Sequence, residues 1–121
     1  YAKTFLGTPY VYGANGPNSF DCTGYTKYVF AKYGISLPRT AYDQGYSNYG
    51  TKINNISGLK PGDLVFFDTI SDGDLSDHAG IYLGNGQFIH CSSSVSVMSV
   101  VISDLNSGFY NRKFSWGRRV F

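Results

Sequence analysis

The residues best suited to chemistry in this 121-residue chain are Cys22 and His78. Cys22 lies in the run Phe20-Asp21-Cys22-Thr23-Gly24, and a helix-like stretch follows it as far as Gly34. His78 begins an apolar run that ends in a glycine-rich turn. Unpaired N–H groups and the helix dipole favour a thiolate at a helix N-terminus, and an imidazole on a neighbouring strand can serve as its base. The pair therefore predicts a hydrolase with a cysteine nucleophile.

His90 is the predicted third member of this group, provided that the hairpin between the two histidines has the right register. A three-residue loop over 84–86 pairs Leu83 with Gln87 and places His78 and His90 on one face of the sheet. A two-residue turn would instead place them on opposite faces. In the favoured register His90 can hold the second ring nitrogen of His78, as the orienting member of a triad does.

Three alternatives remain for these residues. Cys22 can be a small buried apolar residue, and each histidine alone can be a hydrogen-bonded sheet residue. A Cys22–Cys91 disulfide would remove the nucleophile. A zinc site built from both cysteines and both histidines is conceivable, but the spacing does not resemble a zinc finger, and the adjacent His90 and Cys91 face opposite ways on a strand. We interpret Cys91 as a core residue and expect neither metal nor cofactor.

The order of predicted elements indicates an α+β fold, with helices in the first half and an antiparallel sheet in the second. Apolar residues at four-residue spacing predict a helix over 22–33. A shorter helix is predicted after Pro38, because Thr40 and Asp43 have the spacing of a capping box. Strands are predicted over 64–67, 78–83, 87–91, 95–102 and 114–120.

Bulk properties exclude several classes of protein. The formal net charge of +2 is too small to indicate nucleic-acid binding, and no apolar run approaches the roughly 20 residues of a membrane span. The cations of Arg112-Lys113 and Arg118-Arg119 are interpreted as a solvated edge of the last strand. Residues 1–121 are expected to form one domain, cut from a longer secreted protein, and to be monomeric.

Six sequence blocks, taken in order, resemble those of the NlpC-type cell-wall endopeptidases, a bacterial branch of the papain-like cysteine peptidases. The blocks are GTPYVYG at 7–13, FDCTG at 20–24, LPRT at 37–40, LKPGDLVFF at 59–67, HAGIYLGNG at 78–86 and FIH at 88–90. The resemblance implies a papain-like fold in which N-terminal helices pack on a central antiparallel sheet. It also implies that Cys22 is the nucleophile, His78 the general base, His90 the orienting residue and Tyr10 the donor of an oxyanion hydroxyl.

The same resemblance implies a set of substrate-binding residues. Asp21 would hold the free amine of the substrate's first residue, although a helix cap is an equally good interpretation of this position. Thr23, Arg39 and Ser92 would line the groove, and for Arg39 a structural role is favoured over substrate contact.

The function that the resemblance implies is cleavage of bacterial peptidoglycan stem peptides, at the bond between γ-D-glutamate and the diamino acid, which is diaminopimelate or lysine. Such an enzyme would act outside the cell or in the cell wall, with its targeting signal outside this sequence. One alternative is a papain-like N-acetylmuramoyl-L-alanine amidase. Another is a cell-wall-binding module that keeps the fold without catalysis.

Overall fold

The computed structural model describes residues 1–46, 50–69 and 76–121. These ranges contain the helices α1 (Cys22–Ala31), α2 (Ala41–Tyr46) and α3 (Gly108–Lys113), and short 3₁₀ turns at Ala2–Phe5 and Ile56–Gly58. The strands are β1 (Thr51–Ile53), β2 (Leu64–Phe67), β3 (His78–Gly84), β4 (Gln87–Cys91), β5 (Val100–Asp104) and β6 (Phe114–Arg119). Within the described ranges, no helix has the length and apolar character needed to cross a membrane.

The six strands form one antiparallel sheet in the order β1-β6-β2-β3-β4-β5. One face carries α1 and a core that includes Phe20, Tyr25, Phe66, Ile81 and Ile89. The opposite face buries a smaller cluster of Leu59, Val65, Phe67, Tyr82, Phe88 and Leu105, against which Tyr110 of α3 packs. The predicted α+β class is confirmed.

Helix α1 begins at Cys22 because Asp21 caps it. Asp21 has extended backbone angles, and its Oδ1 accepts a 2.6 Å hydrogen bond from the Gly24 N–H. A side chain at Gly24 would collide with the carbonyl oxygen of Ala14, so this position requires glycine. Tyr25 and Val29 bury the inner side of the helix against the sheet. The first turn, with its thiol, is thereby held over the start of β3.

The β3–β4 hairpin differs from the prediction in its turn but not in its register. A two-residue turn at Asn85 and Gly86 replaces the predicted three-residue loop, and both residues have positive φ, 53° and 75°. A β-bulge between Tyr82 and Gly84 supplies the extra residue. Tyr82 consequently pairs with Phe88, which is the register that the longer loop would have given.

The predicted strand over 95–102 is wrong in its bounds. Residues 95–97 form a turn, in which the amides of Val97 and Met98 both donate to the Ser94 carbonyl. Met98 has a φ of 49°, which ends the turn before β5 begins at Val100. Alternating valines indicate a strand only where a partner strand pairs with them, and Val95 is 94% exposed. Neither α3 nor β1 was predicted.

The interpretation of Arg118-Arg119 as a solvated edge is also wrong. Strand β6 lies between β1 and β2, so it is not an edge strand. Arg118 is buried and donates from Nε to the Gly45 carbonyl at 2.9 Å. Arg119 binds both carboxylate oxygens of the fully buried Asp63, at 2.9 and 2.7 Å. Arg118 thus links β6 to α2, and Arg119 links β6 to the residue that precedes β2.

Candidate active site

A cavity of about 660 Å³ opens between the N-terminus of α1 and the start of β3. Cys22 and His78 both line it, and so do four other residues predicted from the sequence to form the site or flank it: Tyr10, Asp21, Thr23 and Arg39. Residues that were not predicted complete its wall: Tyr12, Gly13, Thr40, Ala41, Thr69, Asp77 and Ser93. The fold therefore brings together residues that are up to 83 positions apart, from Tyr10 to Ser93.

Cys22 holds its sulfur against backbone amides at the edge of this cavity. Burial raises the pKa of the Cys22 thiol from 9.0 to about 11, and the Asp21 charge acts in the same direction. The N–H groups of Ala79 and Thr23 and the Thr23 hydroxyl donate to the sulfur and partly oppose this rise. Burial outweighs the donors, so the thiolate expected at a helix N-terminus is not the resting form. At neutral pH the free protein carries a thiol.

His78 and His90 form a direct pair on one face of the sheet. The Nε2 atom of His78 lies 2.7 Å from the Nδ1 atom of His90, and the Nε2 atom of His90 lies 2.8 Å from the Ser103 hydroxyl. Burial lowers the pKa of His78 from 6.5 to about 4. Burial, followed by the charge of His78, also lowers the pKa of His90. Both rings are therefore neutral at pH 7, and only Nδ1 of His78 is left to act as a base.

Aromatic rings enclose the histidine pair on the side away from α1. Tyr110 stacks on His78 with ring centroids 6.2 Å apart and meets the edge of His90 at 5.0 Å. The ring centroid of Phe88 lies 4.5 Å from that of His90, and the ring centroid of Phe67 lies 6.0 Å from that of His78. These rings remove water from the pair, which is the physical cause of the lowered pKa values.

Sequence reasoning missed Ser103 and Tyr110. Ser103 lies two positions beyond Val101, the residue of β5 that pairs with His90, so strand alternation puts it on the His90 face. That signal was lost because the predicted strand ended at residue 102. Tyr110 belongs to the unpredicted α3, and no pattern in the chain distinguishes it among 11 tyrosines.

Ser92 lies apart from the other predicted residues. It is buried and lines a second cavity of about 420 Å³, on which His78, Phe109 and Tyr110 also border. Its hydroxyl contacts that of Tyr110. The two cavities are adjacent, because Thr69, His78 and Ser93 line both of them.

Tyr10 lies close enough to Cys22 for their charges to interact. Burial raises the pKa of its hydroxyl, and the charge of Cys22 is the next largest cause. Its backbone N–H donates to the Met98 carbonyl at 2.8 Å, which ties the segment before α1 to the segment before β5. A protonated hydroxyl on the wall of the Cys22 cavity is a suitable donor for an oxyanion.

Asp21 and Arg39 form a bidentate ion pair beside the thiol. Arg39 Nη2 lies 2.8 Å from Asp21 Oδ2, and Nη1 lies 3.1 Å from Oδ1 and 2.9 Å from the Thr23 hydroxyl. Because Asp21 also accepts from Gly24, its role as a helix cap is confirmed. Arg39 has the structural contacts expected of it, while its guanidinium borders the cavity.

Cys91 lies in the core of the described structure. Both cysteines are free thiols, and Cys91 is fully buried with its sulfur donating to the Phe20 carbonyl at 3.3 Å. The prediction that Cys91 is a core residue is confirmed. In residues 1–46, 50–69 and 76–121, no group of three or more His, Cys, Asp or Glu side chains is placed to hold a metal ion.

Comparison with known proteins identifies relatives along almost the whole chain. The NlpC/P60 family model matches residues 7–119. The probable endopeptidase p60 of Listeria monocytogenes is 55% identical over 93 residues, which is 77% of this chain and 18% of the relative. The bifunctional muramidase/DL-endopeptidase CwlT of Bacillus subtilis is 39% identical over 119 residues, which is 97% of this chain and 34% of the relative.

Solved structures show the same fold. NlpC2 from Trichomonas vaginalis superposes with a TM-score of 0.86 at 38% identity, over 98% of this chain and 44% of that one. The sequence thus spans only a fraction of the length of these three proteins, less than a fifth in p60 and about a third in CwlT.

Proposed function

Because this chain belongs to the NlpC/P60 family, we propose that it is a cysteine endopeptidase that cleaves peptidoglycan stem peptides between γ-D-glutamate and the diamino acid. One observation carries the proposal. Cys22 and His78 share a cavity, and His90 occupies the Nε2 side of His78 so that Nδ1 is left for the thiol. The names of the relatives support the reaction class, since p60 is described as a probable endopeptidase and CwlT as a DL-endopeptidase.

The proposed reaction begins with a neutral thiol and a neutral imidazole. As the sulfur of Cys22 attacks the γ-carbonyl carbon, its proton passes to Nδ1 of His78. The negative charge that develops on the carbonyl oxygen is stabilised by the Tyr10 hydroxyl and by the backbone N–H of Cys22, which has no partner within the helix as its first residue.

The second half of the reaction returns the proton. His78 protonates the nitrogen of the diamino acid, the C–N bond breaks, and an acyl thioester remains on Cys22. Water then attacks the thioester and gives its proton to His78. The C–S bond breaks, His78 returns the proton to the sulfur of Cys22, and the γ-carboxyl product leaves. The second cavity, which borders His78 on the side of Ser92 and Tyr110, offers space for the departing residue.

Substrate recognition is proposed to divide between the two cavities. Asp21, which keeps 15% of its side chain exposed, would receive the free amine of the first stem residue, beside Arg39 and Thr23. Ser92 would line the side of the diamino acid. The protein is proposed to act as a monomer on the wall outside the cell.

Mass spectrometry of the products tests the scissile bond. Purified peptidoglycan of the diaminopimelate type and of the lysine type is digested with the protein, and the released fragments are identified. We expect L-Ala-γ-D-Glu termini and new N-termini on the diamino acid. Release of whole stem peptides from muramic acid would instead indicate an amidase. Failure to cut either wall would leave a binding role as the better interpretation.

The pH dependence of kcat/KM follows from the state of His78. Only neutral His78 can accept the thiol proton, so protonation of the ring abolishes activity. Because burial lowers its pKa to about 4, we expect kcat/KM to stay level from neutral pH down to roughly pH 5 and to fall only below that. The profile is measured on a soluble stem peptide between pH 3.5 and 8. Circular dichroism at each pH separates loss of activity from unfolding, and a midpoint near 6.5 in folded protein would contradict the prediction.

A further inference from the structure

We propose that Ser103 is a positioning residue that holds His78 and His90 in the tautomers that catalysis requires. The proposal rests on the function proposed above and extends the group of three residues to a fourth. Ser103 lies on β5, two strands away from β3, and touches neither the thiol nor the Cys22 cavity. It acts through His90, whose Nε2 atom lies 2.8 Å from the Ser103 hydroxyl oxygen.

The positions of the protons follow from the two hydrogen bonds. A neutral imidazole has one N–H and one acceptor nitrogen. If Nδ1 of His78 is to accept the thiol proton, Nε2 of His78 must carry the hydrogen and donate it to Nδ1 of His90. His90 then carries its own hydrogen on Nε2, and that hydrogen requires an acceptor. The oxygen of Ser103 is at the right distance to be that acceptor.

The reverse arrangement is chemically possible but cannot support the reaction. If Ser103 donated its hydroxyl hydrogen to Nε2 of His90, the hydrogen of His90 would lie on Nδ1 and would be donated to Nε2 of His78. The hydrogen of His78 would then lie on Nδ1, so His78 would present an N–H to the sulfur. That imidazole has no acceptor for the thiol proton. An acceptor at position 103 thus selects the active tautomer, and the half-buried hydroxyl of Ser103 can direct its own hydrogen to solvent.

The surroundings leave the selection of tautomer to few polar groups. His90 is fully buried, and its ring packs against Phe88 at 4.5 Å and Tyr110 at 5.0 Å. The other ionisable residues on the walls of the two cavities that His78 lines are Tyr10, Tyr12, Asp21, Cys22, Arg39 and Asp77 in the larger cavity and Tyr110 in the smaller one. His90 forms hydrogen bonds with His78 through Nδ1 and with Ser103 through Nε2.

Kinetics of Ser103 variants test the proposal first. Ser103→Ala removes the acceptor, and we expect kcat to fall about tenfold with little change in KM. Ser103→Thr keeps the hydroxyl and should restore kcat to within about twofold. Ser57→Ala is the matched control, because it removes the hydrogen bond that the Ser57 hydroxyl donates to Asn55. Ser57 lies in an exposed turn and lines neither cavity. Wild-type kcat in Ser103→Ala would overturn the proposal.

A carboxylate at position 103 gives a readout that a purely structural role would not move. In Ser103→Asp an acceptor that carries negative charge faces His90 and stabilises the protonated histidine pair, so the pKa of the pair rises. The acid limb of kcat/KM should therefore move to higher pH, by about one unit. An unchanged acid limb in a folded Ser103→Asp protein would contradict the mechanism.

Nitrogen NMR of the free protein gives the tautomers directly. The chain has two histidines, so ¹⁵N-labelled histidine produces two spin systems. We expect protonated Nε2 and unprotonated Nδ1 in both rings, and a mixture of tautomers in Ser103→Ala. A hydrogen on Nδ1 of either ring in the wild type would overturn the proposal. Because this measurement needs no substrate, it stands apart from the proposed function, which fails instead if the wild type does not cut peptidoglycan.

Discussion

Replacement of Cys22 with alanine is expected to lower peptidoglycan cleavage by about 10³-fold or more, because alanine cannot form the acyl intermediate that is proposed for the Cys22 thiol. The variant should fold normally. The thiol is half-buried, and the contacts that set the start of α1 belong to Asp21, Gly24 and Tyr25. Initial rates of muropeptide release and the midpoint of urea denaturation measure the two effects separately.

The second cysteine provides a matched control for this experiment. Cys91→Ala removes a thiol that is fully buried in the core beneath α1 and donates to the Phe20 carbonyl. We expect it to cost roughly 1 kcal/mol of stability through the small cavity that it leaves, and to keep kcat within about twofold. Cleavage by Cys22→Ala at the wild-type rate would exclude the thiol as nucleophile, whereas equal losses in both variants would indicate a general effect of removing a thiol.

Replacement of His78 is expected to have the next largest effect and to exceed replacement of His90. His78→Ala removes the proposed general base and acid, and kcat should fall about 10³-fold. His90→Leu keeps the volume but loses the acceptor that lies 2.7 Å from Nε2 of His78, and kcat should fall about 10- to 100-fold. The difference arises because His90 reaches the reacting atoms only through His78.

A third variant separates the hydrogen bond from the packing of the ring. His90→Asn offers a carbonyl acceptor near the same position, and it should retain more activity than His90→Leu. Steady-state kcat and KM on a soluble stem peptide, with thermal denaturation of each variant, give the comparison. If His90→Leu were as active as the wild type, the orienting role of His90 would be excluded.

The local features of this protein were predictable from short-range chemistry. The capping Asp21, the helix after Cys22 and the strand over 64–67 depend on neighbours within a few residues, so their sequence patterns were sufficient. The bond from the Asp43 amide to the Thr40 hydroxyl, at 3.1 Å, likewise confirms the cap expected before α2. The family motifs located the candidate nucleophile and histidines without any knowledge of distances.

Long-range pairing explains what was missed. The bulge at β3–β4 preserves the register with a shorter turn, and β5 begins five residues later than its valine pattern suggested. Both depend on which backbone groups find partners in another strand, and a single segment does not contain that information. Arg119 was misread for the same reason, since its partner Asp63 lies 56 residues away in sequence.

The sequence alone determined the reaction class to be tested and the residues Cys22, His78 and His90 that would perform it, because residue type and motif spacing are local properties. The tertiary structure decided the charge of these three side chains and the tautomers of the two histidines. Burial of the thiol and of both rings makes the resting pair neutral, and the approach of β5 brings Ser103 to His90. Burial and cross-strand contact exist only after the chain has folded, so charge state and tautomer could not be obtained from the order of residues.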